Sequence, residues 1–269
     1  MAKLKGKSVL ITGGAGGIGL CLAQHFVNAG CNLIISDING DALEAARLKL
    51  GATGAQILTY KTDITKRRQV QDMASDILDR FGSLDILINN AGFGYSGELA
   101  DTDIAMWKKL IDVNLMGTLY HVDSFLPSMI EKGGGQIVNI SSGQAILRLP
   151  TWGAYAAVKS ALGAYSETLY YELRGHGIHV TTVYPFMVNT GFYSDIEGES
   201  FGAKLSMKLV PYYSMTPEKA GKIIFKAVKK RKKVEMTSIA NDLIRYSKFL
   251  PLVPDIVGFT SNYFLSKKD

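Results

Sequence analysis

Thr12-Gly13-Gly14-Ala15-Gly16-Gly17-Ile18-Gly19 follows directly on the apolar run Val9-Leu10-Ile11 and leads into a segment that sets Ile18, Leu22 and Phe26 on one helical face. A strand that turns through glycines into a helix brings bare backbone close to whatever lies beyond the turn. The free N–H groups and positive end of the helix then meet a negative charge there, typically the pyrophosphate of a dinucleotide. A bare glycine triplet also suits a flexible turn with no ligand. The position of this one, after a strand and within a first β–α–β unit, selects the cofactor reading.

A second apolar run, Leu33-Ile34-Ile35, ends at Asp37, 18 residues beyond Gly19. A carboxylate there can accept hydrogen bonds from ribose hydroxyls and repels a 2′-phosphate, which favours NAD over NADP. Neither residues 14–16 nor Ser36 supplies the Lys or Arg that a 2′-phosphate would want. The plainer alternative is that Asp37 caps the turn before Asn39-Gly40.

Further short apolar runs recur at Ile57-Leu58, Ile86-Leu87-Ile88, Ile137-Val138 and Val180-Thr181-Thr182-Val183, with helical patterns between them. Strands alternating with helices predict an α/β fold, a doubly wound parallel sheet covered on both faces. At 269 residues one domain is expected, with residues 1–240 as its body and 241–269 as an apolar C-terminal tail. Residues 189–215 carry Phe192, Phe201, Tyr212 and other apolar groups without firm periodicity, which reads as a lid after the sixth strand. Asp41 with Glu44 reads as a capping box for the second helix, and Thr216-Pro217-Glu218 as the start of a late one. Two apolar stripes, Leu115, Leu119, Val122, Leu126, Met129 and Val158, Leu162, Tyr165, Leu169, Leu173, offer more surface than one sheet face needs.

Charge and cysteine content narrow the classes. The net charge is +6, yet residues 211–269 hold 12 Lys/Arg against 5 Asp/Glu, so the basic character sits in the tail. The run Lys229-Lys230-Arg231-Lys232-Lys233 has no recognition module beside it, so no nucleic-acid partner is expected. Followed by an aromatic and aliphatic tail, it has the composition of an interfacial anchor; packing over the pocket or another subunit is the preferred alternative. Two cysteines, Cys21 and Cys31, argue against a disulfide framework, and no signal peptide or spanning segment is read. The expected compartment is the cytoplasm, with peripheral membrane association held as the variant reading. No metal site is read.

Tyr155 and Lys159 stand four residues apart on one helix face, with Ser142 at the end of the fifth strand. With these in place the sequence resembles the short-chain dehydrogenase/reductase family, over residues 5 to about 237. The family's T-G-x-x-x-G-x-G pattern falls on Thr12, Gly13, Gly17 and Gly19, its Asn-Asn-Ala-Gly motif on Asn89-Asn90-Ala91-Gly92, and its acidic adenine-side residue on Asp63. The resemblance implies a single Rossmann-type domain, a catalytic tetrad of Asn114, Ser142, Tyr155 and Lys159, and a dimer or tetramer with the helices that carry the two stripes paired across a two-fold axis. It also implies cofactor contacts from Gly13, Gly17, Ile18, Gly19, Asp37, Asp63, Asn90, Tyr155, Lys159, Pro185, Val188 and Thr190.

The chemistry follows from proton transfer. Removing a hydride from an alcohol carbon requires loss of the hydroxyl proton, and a phenol ordinarily titrates at about pH 10. A neighbouring ammonium favours the phenolate. Tyr155 is therefore read as the general base in oxidation and the acid in reduction, Ser142 as the donor to the substrate oxygen, and Asn114, by resemblance, as the anchor of a water that links Lys159 to solvent. One departure stands out: the family's Pro-Gly after the sixth strand is Pro185-Phe186 here, so a large ring enters the pocket or turns into the core. With Phe192 it suggests a lipophilic substrate, of steroid, retinoid or long-chain type, for an NAD-dependent alcohol dehydrogenase or ketone reductase. A 3-oxoacyl-thioester reductase and a non-catalytic NAD-binding protein are the alternatives.

Overall fold

In the computed structural model residues 4–51, 57–190, 214–238 and 260 are described. The strands among them form one parallel sheet of seven: β1 Ser8–Thr12, β2 Asn32–Asp37, β3 Ile57–Lys61, β4 Ile86–Asn89, β5 Gly135–Ile140, β6 Ile178–Tyr184 and β7 Val234–Met236. Their spatial order is β3-β2-β1-β4-β5-β6-β7, all neighbours parallel. The chain runs outward from β1 in one direction and from β4 in the other. The strand order therefore reverses between β1 and β4, the place where an open sheet leaves a crevice at its carboxyl edge.

Period-two alternation decides which layer each strand residue enters. Val9, Ile11 and Ile35 join Leu22 and Phe26 of helix α1 (Gly17–Asn28) and Ile224 and Val228 of the late helix Pro217–Lys229 on one face. Leu10, Ile34, Leu87 and Ile137 point to the other, onto Ile77 of Arg67–Phe81, Phe125 of Gly117–Lys132 and Leu169 of Gly153–Glu172. Because both faces are covered, β1, β2 and β4 carry continuous apolar runs at their centres rather than an alternating pattern.

Several local expectations are corrected. The helix Gly40–Leu50 starts two residues earlier than its acid suggested: Asn39 is the cap and accepts from the Ala42 amide at 3.0 Å. Asp41 falls in the first turn, and Glu44 instead pairs with Arg47. The stripe from Val158 to Leu173 is not spare surface. Val158, Leu162, Leu169 and Leu173 are buried within the chain's own core. Of the other stripe, Val122 and Met129 are buried, whereas Leu115, Leu119 and Leu126 remain half-exposed. The edge strand β7 carries too short a pattern to have been expected.

The basic run also resolves in part. Arg231 donates to the Gly135 carbonyl, Lys232 pairs with Glu235 at 2.6 Å, and Lys233 pairs with Glu167 at 2.8 Å while lying over the Tyr171 ring. These three cations are thus engaged by the domain itself. Among the described residues no helix is long and apolar enough to cross a membrane. Residues 191–213 and nearly all of 241–269 lie outside the described residues, and with them most of the expected lid and tail.

A buried polar chain ties the centre of the sheet to the helix that carries Tyr155. Asn89 Nδ2 donates to Asn139 Oδ1 at 2.9 Å, Asn139 Nδ2 donates to Ser166 Oγ at 2.8 Å, and Ser166 donates to the Leu162 carbonyl at 2.7 Å. Unpaired donors at such depth are costly. Asn139→Ala, which leaves Asn89 Nδ2 without its acceptor, is expected to cost about 2 kcal/mol. Urea titration should show a lower midpoint at unchanged slope; an unshifted midpoint would contradict the role given to this chain.

Candidate active site

The carboxyl edge of the sheet is held open by one set of hydrogen bonds. Thr12 Oγ1 accepts the amides of Asn90 and Ala91, both at 3.0 Å, while Asn90 Nδ2 donates to the carbonyls of Thr12 at 2.9 Å and Gly13 at 3.1 Å. The glycine loop is thereby fixed to the end of β4. Gly13 has φ +62°, and a Cβ on Gly19 would collide with the Gly13 carbonyl oxygen, so the loop's tightness excludes side chains at both positions. No side chain caps α1 and its first turn holds no acid, which leaves its positive end available to an anion. Asp37 stands beside this loop: Ala15 N–H donates to its Oδ2 at 3.3 Å and Asn39 N–H to its Oδ1 at 3.1 Å. Asp37 thus caps the turn before Gly40, as its plainer reading has it, and also faces the glycine loop. Asp63, past β3, uses Oδ1 to accept the amide and hydroxyl of Thr65. Ile18 sits in the first turn of α1.

The four side chains read as catalytic come from three places in the fold. Tyr155 and Lys159 lie on the helix Gly153–Glu172, both buried. Lys159 Nζ donates to the Ile140 carbonyl at the end of β5, at 3.0 Å, and lies 5.9 Å from the Tyr155 ring centre. Complete burial pushes its pKa down to about 8. Asn114 occupies a π-helical turn, Asp112–Met116, inserted before Gly117–Lys132. The helix is thus widened over this one turn. Asn114 donates to the Phe93 carbonyl at 3.1 Å, and its Oδ1 is buried with no hydrogen-bond partner among the described residues. The Gly92 backbone fits between Asn114 and Lys159: a Cβ there would stand 2.6 Å from Asn114 Oδ1 and 3.3 Å from Lys159 Nζ.

Ser142, just past β5, accepts the amide of Gln144 at 3.2 Å. One of its two lone pairs is thereby occupied, and its own proton remains to donate. Ser142 and Tyr155 line one cleft with Pro185, Phe186, Met187, Gln144 and Trp152. Phe186 is half-buried and faces this cleft, so the core-pointing alternative does not hold. The turn's left-handed residue is Met187, at φ +47°. Val188 is buried and bridges to Met215, and Thr190 packs over Gly17, at 3.3 Å from where its Cβ would lie. Phe192 lies outside the described residues. Gln144, Trp152 and Met187 were not singled out in the sequence; only Gln144 carried a hint, by standing two residues from Ser142.

Comparison with known proteins agrees with this geometry. Residues 7–199 match the family model described as short chain dehydrogenase. The chain is 31% identical over 208 residues to an "uncharacterized oxidoreductase" of Staphylococcus epidermidis, covering 77% of this chain and 88% of the relative. It is 31% identical over 186 residues to a D-beta-hydroxybutyrate dehydrogenase of Rhizobium meliloti, covering 68% and 72%. A solved short chain dehydrogenase/reductase of Burkholderia phymatum, in complex with NAD, superposes with a TM-score of 0.84 at 27% identity, covering 93% of this chain and 95% of that one.

The buried lysine gives a pH signature. Below about pH 8 Lys159 is charged in both folded and unfolded chains, so the full desolvation cost is present; above it the folded lysine is neutral while the unfolded one still holds its proton. Stability from this group therefore rises with pH from about 8 toward the ordinary lysine range. Lys159→Met is expected to raise stability at pH 7 by up to roughly 3 kcal/mol, less the lost bond to Ile140, with the gap closing as pH rises past 8. Thermal melts of the ligand-free proteins across pH 7–10 read it. A variant less stable than wild type at pH 7 would contradict it.

Proposed function

Since the chain belongs to the short chain dehydrogenase family of oxidoreductases, we propose that it interconverts a secondary alcohol and a ketone with NAD(H) on a lipophilic substrate. The observation that carries the reading is the convergence of Ser142 and Tyr155 on one cleft, with Lys159 buried behind the tyrosine. When bound, NAD would supply the hydride acceptor at the carbinol carbon, and NADH the donor. The residues suit such a group. An uncapped helix start and a glycine loop without room for side chains fit a pyrophosphate at Gly13, Gly17, Ile18 and Gly19. Asp37 would take the adenosine ribose, Asp63 would border the adenine, and Pro185, Val188 and Thr190 would flank the nicotinamide. Asn90 would act by holding the loop, since its amide is already spent on it.

In oxidation Tyr155 receives the hydroxyl proton as phenolate; in reduction its phenol returns that proton to the ketone oxygen. Lys159 stabilises the phenolate by its charge and would hold the nicotinamide ribose. Ser142, oriented by the Gln144 N–H that it accepts, donates to the substrate oxygen. Asn114, with Oδ1 uncommitted beside Lys159, orients a water for proton exchange. Trp152, Phe186 and Met187 favour an apolar body in the cleft. The carboxylate of Asp37 disfavours a 2′-phosphate, against an NADPH-preferring thioester reductase. A dimer or tetramer is supported by the exposed Ile111 and Ile130, with Leu119 half-exposed between them in sequence.

Tyr155→Phe should keep NADH binding, read by fluorescence titration, and lose at least about a thousandfold in kcat, within the range of a general acid–base group. Retained turnover would refute the mechanism. Asp37→Ala should narrow the ratio of kcat/KM for NAD over NADP by about tenfold, since the ribose loses an acceptor and the phosphate a repelling charge. Equal wild-type efficiency with both cofactors would refute the preference.

A further inference from the structure

Gln144 opens the short helix Gln144–Leu147 and lines the cleft two residues beyond Ser142. Its side chain is largely buried, and chemistry fixes which way round its amide sits. The Leu149 N–H can only donate, so the atom facing it at 3.2 Å is the oxygen, Oε1. The amino group, Nε2, is left with two hydrogens and has no hydrogen-bond partner among the described residues. Nor is it one of the polar atoms sealed from solvent. In a buried residue that lines the cleft, the cleft is where such a nitrogen is reached.

The rest of the wall gives this donor its meaning. Trp152, Pro185, Phe186 and Met187 present largely apolar surface, and among the described residues no lysine, arginine or histidine lines the cleft. An apolar substrate that covered Nε2 without an acceptor would strip it of water and leave it unpaired, whereas one with an acceptor there would be selected. A carboxylate would lack a cation in the cleft wall to offset its desolvation. We infer that Gln144 Nε2 binds a second, uncharged acceptor oxygen of the substrate beside the reacting carbon, so that the substrate class is a ketone or alcohol flanked by a carbonyl, ester or ether oxygen. The inference rests on the alcohol–ketone reading above. Through its backbone amide the same residue also orients Ser142, so one position sets both oxygens of the substrate.

The test uses NADH-dependent reduction of two matched ketones, 1-phenylpropan-2-one and 1-phenylpropane-1,2-dione, by the full chain and by Gln144→Glu and Gln144→Met. The dione is the more electrophilic, so the readout is the change in its kcat/KM ratio over the monoketone on substitution. Gln144→Glu keeps an oxygen for the Leu149 amide and replaces only the donor; it therefore holds the loop while reversing the polarity offered to the substrate. The ratio is expected to fall at least about tenfold in both variants, and further in Gln144→Glu. A ratio unmoved in both, including one where both ketones slow together, overturns the inference while leaving the alcohol–ketone reading intact. If the wild type binds NADH by fluorescence yet reduces neither ketone, the reading of the reaction fails and takes this inference with it.

Discussion

Thr12 and Asn90 make the interaction on which the other features of the site depend. Where the strand order reverses, β1 and β4 are adjacent yet their chains leave in different directions, and a crevice there would splay without a tie. The tie is a reciprocal set of bonds, a hydroxyl accepting two amides and an amide donating to two carbonyls, packed into the first residues beyond the strands. It fixes the glycine loop, which aims the start of α1, and it fixes Gly92, against which Asn114 and Lys159 meet. Polar groups thus do at the rim what apolar packing does deeper in the sheet.

The same economy holds at Lys159. An ammonium taken wholly out of water is unfavourable, and a single carbonyl offsets only part of the cost. On the proposed mechanism the cost has a use, since a cation placed near a phenol in a dry setting acts on it far more strongly than it would in solvent. The π-helical turn at Asn114 is a comparable concession: regular hydrogen bonding is given up over one turn to bring a buried amide oxygen toward the lysine.

How much of this the sequence discloses depends on whether a signal is periodic or positional. Apolar runs between helical patterns disclose six strands and the doubly wound class, because burial on both faces leaves a continuous apolar imprint. The four-residue spacing of Tyr155 and Lys159 discloses a shared face. Three-residue β7 leaves too little imprint, and Asn39 was passed over for Asp41 because both are good caps and backbone angles alone choose between them. The Val158–Leu173 periodicity was legible as a stripe, but not which way it faced, since a core face and an oligomer face look alike in sequence. Gln144 has meaning only after the Leu149 amide has fixed its rotamer. Phe186 was legible as a departure; that the backbone strain sits one residue later, on Met187, was not.

The pairing of Val188 with Met215, closed by bonds from Asn189 N–H to the Met215 carbonyl and from Met215 N–H to the Met187 carbonyl, joins both ends of the intervening segment at one point of the frame. A chain whose ends are already held together pays for added length only logarithmically, about 0.6 kcal/mol for each doubling. The register of β6 ends at Tyr184, before these anchors, so the length of chain between them does not enter the strand pairing of the sheet. The bridge thus closes the frame on itself at the mouth of its own cleft.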